Sequence, residues 1–165
     1  MTKKEARIKY KTLRKELTEQ ERDEKSMAIA NELLHLPIWD KQYFHVFLSI
    51  SEHFEVDTEC ILRILAGKDK DILISKSNFG TGESKKGKET REMTHFLLTD
   101  GTKIIKNEYN IPEPVDGIEV PSHKIEVVIV PLLAFDKQGQ RVGYGKGFYD
   151  KFLAECSPAT VKIGV

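Results

Sequence analysis

One segment of this 165-residue chain combines the residue types that bind phosphate groups. Residues 139–150 read GQRVGYGKGFYD, with glycines at 143, 145 and 147 just before a predicted helix. Glycine permits positive φ angles and close backbone approach, so successive N–H groups can point into one concavity near the positive end of the helix dipole. Arg141 and Lys146 add positive charges, and Asp150 offers a carboxylate to a hard cation that bridges phosphate oxygens. The spacing therefore predicts an anion site, most simply for phosphate.

The segment differs from the common phosphate-binding motifs. A Walker A loop needs glycine at 140 and serine or threonine at 147, where this chain has Gln140 and Gly147. The pattern GxGxxG is also absent, because the third glycine comes one residue early. The alternative interpretation is a glycine-rich turn with solvated charges, but the accompanying arginine, lysine and aspartate favour a binding site.

Helices and strands alternate along the chain and must position this segment. Capping boxes at Thr2 and Thr18 start two helices, which we interpret as an N-terminal helical hairpin over 2–36. Patterning predicts strands over 43–49, 71–76, 93–98, 126–130 and 161–165, with helices over 58–66 and 146–155. The alternation predicts a single α/β domain over 1–165, whose α/β core spans 43–165. Its central sheet is expected to be mostly parallel, with helices on both faces.

Two segments are predicted to lack regular structure. Residues 77–91 are rich in Gly, Ser and Lys, which is typical of an exposed, mobile loop. Residues 110–114 read NIPEP, and their two prolines remove backbone donors and fix the φ angle. We therefore expect no strand or helix in either segment.

Composition argues against several classes of protein. Lys plus Arg equals Asp plus Glu at 26 each, so the chain is unlike a uniformly basic nucleic-acid binder. Nevertheless, residues 1–15 hold seven basic residues and one acid.

The longest apolar run, 127–135, is interrupted by Pro131 and is too short to cross a bilayer. With free thiols at Cys60 and Cys156 and no signal-peptide pattern, we predict a cytoplasmic protein with neither nucleic-acid nor membrane partners.

The five histidines show no spacing typical of a metal site or a catalytic triad, so we interpret them as surface or core residues.

The segment RVGYGKGFYD resembles the signature of 5-formyltetrahydrofolate cyclo-ligases, also called methenyltetrahydrofolate synthetases. Lys3 and Arg7, four apart on the first helix, are similar to the family's N-terminal pair that contacts ATP. Residues 47–49 and the segment at Glu55 resemble the family's first strand and its folate-contacting glutamate, and residues 110–114 resemble the stretch before the strand that leads to the Gly loop. The resemblance implies a Rossmann-like fold, similar to sugar-phosphate isomerases and CoA-transferases.

The resemblance also implies an activity and its ligands. The family uses ATP and Mg²⁺ to convert 5-formyltetrahydrofolate into 5,10-methenyltetrahydrofolate, releasing ADP and phosphate. ATP phosphorylates the formyl oxygen, N10 attacks the resulting N5-iminium phosphate, and phosphate then leaves. Lys146 and Arg141 are the implied catalytic residues, and Asp150 is the implied metal ligand. The implied folate contacts are Leu48, Glu55, Tyr144 and Phe148. The implied nucleotide contacts are Lys3, Arg7, Arg141, Val142, Gly143, Tyr144, Gly145, Lys146, Gly147, Phe148 and Tyr149.

Other functions stay open at this point. The main alternative is a nucleotide- or phosphate-binding module of the same fold without ligase activity. A nucleic-acid binder that uses the basic first helix, and a relative of the phosphosugar isomerases or CoA-transferases, are weaker alternatives.

The chain also departs from the family pattern at several places. Ser75 and Lys76 stand where the family usually has proline and a basic residue. Family members continue past residue 165 with a further acidic residue associated with the metal, so we expect the C-terminal end to be truncated. We further expect a monomer.

Overall fold

The computed structural model describes residues 1–79 and 91–165. The helices are α1 Lys3–Lys15, α2 Glu19–Leu33, α3 Glu59–Gly67 and α4 Phe148–Glu155, with short 3-10 turns at Ser51–His53 and Ser122–Lys124. The strands are β1 Tyr43–His45, β2 Asp71–Phe79, β3 Arg91–Leu97, β4 Ile104–Lys106, β5 Pro112–Pro114, β6 Val127–Val130, β7 Ala134–Phe135, β8 Arg141–Val142 and β9 Val161–Gly164.

A five-stranded sheet in the order β3-β2-β1-β6-β9 forms the centre of the fold. β2, β1, β6 and β9 run parallel to one another, whereas the edge strand β3 runs antiparallel to β2. In the centre of the sheet, Phe44 lies opposite both Ile72 and Val127. The prediction of a mostly parallel sheet is therefore confirmed.

Helices cover both faces of this sheet. On one face, Phe44 and Ile129 belong to a buried cluster with Leu33 of α2 and Ile61 of α3. On the other face, the cluster includes Leu73, Val128 and Phe152 of α4. All four residues of β6 are buried, as expected for a central strand enclosed on both sides. The prediction of helices on both faces is confirmed.

The two N-terminal helices begin at the predicted capping boxes. The Thr2 N–H donates to Glu5 Oε2 at 2.7 Å, and the Glu5 N–H donates to Thr2 Oγ1 at 3.2 Å. Thr18 and Glu21 repeat this arrangement at the start of α2. α2 contacts α3, whereas α1 contacts the small β7–β8 ribbon, which leads into the glycine-rich segment. A basic helix is thereby placed beside the predicted anion site.

The prediction of irregular structure at residues 110–114 is wrong, because β5 pairs with β4 in an antiparallel ribbon. Hydrogen bonds from the Val115 N–H to the Lys103 carbonyl and from the Asn107 N–H to the Ile111 carbonyl flank the pair. Antiparallel strands alternate hydrogen-bonded and non-bonded positions, so Pro112 and Pro114 lie where no donor is required. The prolines therefore fit this strand by their register.

Other boundaries also moved. The strand predicted over 43–49 ends at His45, and β2 extends to Phe79, three residues beyond the prediction. Ser77, Asn78, Phe79 and Arg91 thus belong to paired strands, and the rest of the loop predicted over 77–91 lies outside the described residues. Among the described residues, none of the helices combines the length and apolarity that crossing a bilayer requires.

Candidate active site

A cavity of about 800 Å³ opens beside the carboxyl ends of the parallel strands, the usual ligand position in open α/β sheets. Its volume falls within the range of roughly 300–1,000 Å³ that small-molecule sites occupy. Every residue predicted as a site residue lines this one cavity: Lys3, Arg7, Leu48, Glu55, Arg141, Val142, Gly143, Tyr144, Gly145, Lys146, Gly147, Phe148, Tyr149 and Asp150. Residues from opposite ends of the chain therefore converge on one cavity.

The glycines of the loop are required by its backbone and its neighbours. Gly145 and Gly147 have φ angles of +96° and +77°, in the left-handed region that favours glycine. A Cβ atom at Gly145 would lie 3.0 Å from Arg7 Cζ, and one at Gly147 would lie 3.0 Å from Arg91 Nη1. Gly147 also precedes the first residue of α4. The loop thus brings bare backbone to the start of a helix, where anions bind favourably.

Basic side chains from three separate elements surround the loop. The Arg7 Nε–H of α1 donates to the Gly143 carbonyl at 2.9 Å, which ties the first helix to the loop. Arg91, the first residue of β3, reaches the loop at Gly147. Lys146 is exposed, with Nζ 4.6 Å from the ring centroid of Tyr109 and 5.1 Å from that of Phe79. These charges make the cavity mouth attractive to a polyanion.

Asp150 lies at the mouth of the cavity with its side chain 79% exposed. Its Oδ1 accepts a hydrogen bond from Arg141 Nη2 at 2.6 Å. Among the described residues there is no group of three or more His, Cys, Asp or Glu side chains that could hold a metal. One accessible carboxylate fits Mg²⁺, since this ion commonly takes one or two carboxylates, substrate phosphates and water.

Glu55 lines the same cavity and is only 5% exposed. Its Oε2 accepts a hydrogen bond from the Ile50 N–H at 2.7 Å. Burial raises the pKa of Glu55, while that hydrogen bond and the nearby Arg14 charge act in the opposite direction. Leu48 lies on the same wall. This part of the cavity therefore offers a buried acceptor beside the apolar Leu48 side chain, which suits a flat heterocycle with N–H donors.

Both aromatic residues at the start of α4 line the cavity, but they have different neighbours. Phe148 packs edge-on against Phe79, with ring centroids 5.0 Å apart. Tyr149 packs against His45 and Phe152, and Arg141 lies 5.9 Å from its ring centroid. Burial raises the pKa of Tyr149, so its phenol is neutral at pH 7.

Several residues of the site gave no signal in the sequence. Arg91 and Arg14 belong to no recognisable motif in the chain, and only the fold brings them to the Gly loop. His45 and Ser75 line the cavity wall from neighbouring strands.

A family model described as the 5-formyltetrahydrofolate cyclo-ligase family matches residues 1–163. The chain belongs to this family.

Named relatives agree with this assignment. The 5-formyltetrahydrofolate cyclo-ligase of Mus musculus is 27% identical over 158 residues, covering 91% of this chain and 72% of the mouse protein. The enzyme of the same name from Haemophilus influenzae is 26% identical over 153 residues, covering 89% of this chain and 75% of the relative.

Two solved structures share the fold of this cyclo-ligase family member. The NMR structure of Aquifex aeolicus 5,10-methenyltetrahydrofolate synthetase matches with a TM-score of 0.78 at 28% identity, covering 100% of this chain and 77% of that one. The 5,10-methenyltetrahydrofolate synthetase from Mycoplasma pneumoniae matches with a TM-score of 0.73 at 18% identity, covering 99% of this chain and 84% of that one. The chain is a ligase of folate one-carbon metabolism, and its family implies the use of ATP and a folate substrate.

Proposed function

We propose that the cavity converts 5-formyltetrahydrofolate into 5,10-methenyltetrahydrofolate, with ATP phosphates on the Gly loop and the pterin at the Glu55 end. The observation that carries this proposal is the convergence of the basic Gly loop and the buried acceptor on one cavity of about 800 Å³. A phosphate donor and a heterocyclic acceptor need such a shared volume, because phosphoryl transfer requires in-line positioning of both groups.

The Gly loop and its basic neighbours hold the ATP phosphates in this proposal. Lys146 and Arg141 neutralise charge on the transferred phosphoryl group, and the backbone N–H groups of residues 143–147 bind its oxygens. Among the described residues, Lys146 has no carboxylate partner, and its ammonium group lies over two aromatic rings instead. That arrangement leaves its charge available to a polyanion. Lys3 and Arg7 reach the nucleotide from α1.

Asp150 would hold Mg²⁺, which would supply two further positive charges beside the phosphates. The accessible carboxylate supports this role. Arg141 would then contact phosphate, because the Mg²⁺ ion would take its place on the Asp150 carboxylate.

The folate lies between Leu48, Glu55, Tyr144 and Phe148 in this proposal. Glu55 accepts hydrogen bonds from pterin N–H groups, and the aromatic rings pack on the flat ring system. Enclosure by these side chains excludes water, which protects a phosphorylated intermediate from hydrolysis.

The reaction balances with these two ligands alone. The formyl oxygen attacks the γ-phosphorus of ATP, so ADP departs and an N5-iminium phosphate forms. N10 then attacks the formyl carbon and closes the ring. The C–O bond breaks, and phosphate leaves with the former formyl oxygen. N10 loses its proton to solvent or to the departing phosphate.

The test is a turnover assay with omissions. Methenyl product is followed by its near-ultraviolet absorbance in mixtures of protein, ATP, Mg²⁺ and 5-formyltetrahydrofolate. We expect product only when all components are present, with one ADP formed for each product. Nucleotide binding without any product would contradict the proposal and favour a phosphate-binding module. The cytoplasmic location and the monomeric state stay predictions, which fractionation and light scattering can check.

A further inference from the structure

Arg14 has no assigned role, yet it contacts a residue that lines the cavity. It lies in the last turn of α1 and does not line the cavity. Its Nη1 donates to Tyr144 Oη at 2.9 Å, and its Nη2 donates to the Leu132 carbonyl at 2.7 Å. One guanidinium therefore joins the first helix, the segment after β6 and the Gly loop.

The contact with Arg14 decides where the Tyr144 hydroxyl hydrogen points. A guanidinium can only donate, so Tyr144 Oη must be the acceptor in that bond. The phenol has a single hydrogen, and we assign as its acceptor the Glu55 side chain, which lines the same cavity and acts on the pKa of Tyr144. The hydrogen bonds thus run in one direction, from Arg14 through Tyr144 to Glu55.

Glu55 depends on these donors because it is buried. A buried carboxylate is costly unless hydrogen bonds and nearby positive charge support its ionised form. The described contacts supply one backbone donor, from Ile50, and Tyr144 is the side-chain donor that we assign. Arg14 provides favourable charge beyond Tyr144.

We propose that Arg14 is a positioning residue for the folate: through Tyr144 it holds Glu55 as an oriented, ionised acceptor. The inference rests on the proposed contact between Glu55 and the folate. A purely structural role, in which Arg14 only fastens α1, would affect both ligands equally.

The variants separate these possibilities. Arg14→Met removes the charge and both hydrogen bonds, whereas Tyr144→Phe keeps the ring and removes only the hydroxyl. Lys15→Met is the matched control, since Lys15 is an exposed neighbour on the same helical turn. Far-ultraviolet circular dichroism and thermal unfolding establish that each variant is folded.

The measurements are the dissociation constant of 5-formyltetrahydrofolate by calorimetry and the separate KM values for folate and ATP. We expect Arg14→Met and Tyr144→Phe each to weaken folate binding about 10- to 100-fold, the usual effect of losing a charge-assisted bond. The KM for ATP should change by less than about threefold, and Lys15→Met should match the wild type. The double variant should bind folate no more weakly than the single variant with the larger loss of affinity, because both changes break the same series of bonds.

A pH profile provides a measurement that should not change if Arg14 only attaches α1 to the rest of the fold. Loss of the Arg14 charge raises the pKa of Glu55, so the acid limb of kcat/KM for folate should move to higher pH in Arg14→Met. Arg14→Lys keeps a positive charge and should restore part of that shift.

Unchanged folate binding in both single variants, additive effects in the double variant, or equal increases in both KM values would each overturn the inference. If Arg14→Met does not fold, Tyr144→Phe decides alone. A wild type that turns over while Tyr144→Phe binds folate normally would refute this inference and leave the proposed function intact. A wild type that binds no folate would refute both.

Discussion

Two polar regions contact the same helix, α4, but they differ in how exposed their polar side chains are. At its N-terminus, Lys146 and Asp150 lie exposed in a cavity and are available to ligands. Along its buried side, His45 and His95 are buried and belong to a series of hydrogen-bonded side chains. Polar residues close in space can therefore serve either a ligand or the packing of a helix. Burial and internal hydrogen bonding distinguish the two.

The buried series connects three strands, β1, β2 and β3, to the end of α4. His45 Nε2 lies 2.6 Å from Ser75 Oγ, which lies 2.7 Å from His95 Nδ1. His95 Nε2 lies 3.0 Å from Ser122 Oγ, and Ser122 donates to Glu155 Oε2 at 3.4 Å. The rings of His45 and His95 also pack against Phe152. This arrangement fixes the helix that presents the Gly loop.

The carboxylate of Glu155 sets the direction of these bonds. Because Glu155 accepts from Ser122, the His95 Nε2–H donates to Ser122, and Ser75 donates to His95 Nδ1. The His45 Nε2–H then donates to Ser75, which leaves His45 Nδ1 without a partner among the described residues. Both rings are neutral in this scheme. Burial lowers the pKa of His95 to about 4 and that of His45 well below its usual value.

The comparison predicts that substitutions at the exposed site lower activity, whereas substitutions in the buried series lower stability. Lys146→Ala should give the largest effect on activity. Loss of one positive charge at the transferred phosphoryl group should lower kcat by about 10²–10³-fold. The thermal midpoint should stay close to that of the wild type, because Lys146 is exposed. Steady-state kinetics and thermal unfolding check both statements. Lys137→Ala, an exposed change in the β7–β8 turn, is the control, and full activity in Lys146→Ala would remove the residue from the phosphate role.

Acid should unfold the protein through the buried histidines. The pKa of His95 is about 4 in the folded state against 6.5 for the ordinary side chain, so the unfolded state binds a proton first as pH falls. Stability is therefore intact above pH 6.5 and lost between pH 6.5 and 4, by about 3 kcal/mol for His95 alone.

Urea unfolding at a series of pH values measures this loss. His95→Gln cannot titrate in this range and should flatten the dependence of the unfolding free energy on pH. An identical slope in the wild type and the variant would show that His95 does not carry the effect.

Ser122→Ala should destabilise the fold without affecting the chemistry. It leaves the buried His95 Nε2–H without an acceptor, at a cost of about 1–3 kcal/mol. Ser122 lies outside the cavity lining, so kcat and both KM values should match the wild type. Chemical unfolding and steady-state kinetics check this, with Ser157→Ala as the hydroxyl control. A loss of turnover in a folded, saturated enzyme would break the separation between the regions.

Asp150→Asn should give the smallest effect, confined to the metal. An amide keeps an oxygen ligand but loses the negative charge, so half-saturation by Mg²⁺ should rise about tenfold at fixed ATP. Raising the Mg²⁺ concentration should recover most of the activity, as initial rates across a titration will show. A rate that does not respond to Mg²⁺ concentration in this variant would argue against Asp150 as the metal ligand.

Local patterns predicted the parts of the molecule that depend on neighbouring residues. Thr2 with Glu5 marks a helix start within four residues, and the Gly loop with Lys146 occupies one short segment. The series of His45, Ser75, His95 and Ser122 could not be predicted, because its members are separated by at least 20 residues. Only the pairing of β1, β2 and β3 brings them together. A proline at position 75 could not bridge two imidazoles, so the series depends on Ser75.

Arg14 illustrates the same limit within the site. On the helix it is one of several basic residues, and its contacts with Tyr144 and Leu132 lie more than 100 residues away along the chain. The prolines of β5 are the reverse case. Their composition predicted irregular structure, whereas the register of the β4–β5 pair places both at positions that need no donor.

The central claim is that the cavity transfers a phosphoryl group from ATP to the formyl oxygen of the folate. The most direct measurement uses 5-formyltetrahydrofolate labelled with ¹⁸O at the formyl group, followed by mass spectrometry of the phosphate released during turnover. The account predicts one ¹⁸O atom in the phosphate for each methenyl product formed. Unlabelled phosphate, formed alongside product at the same rate, would contradict it.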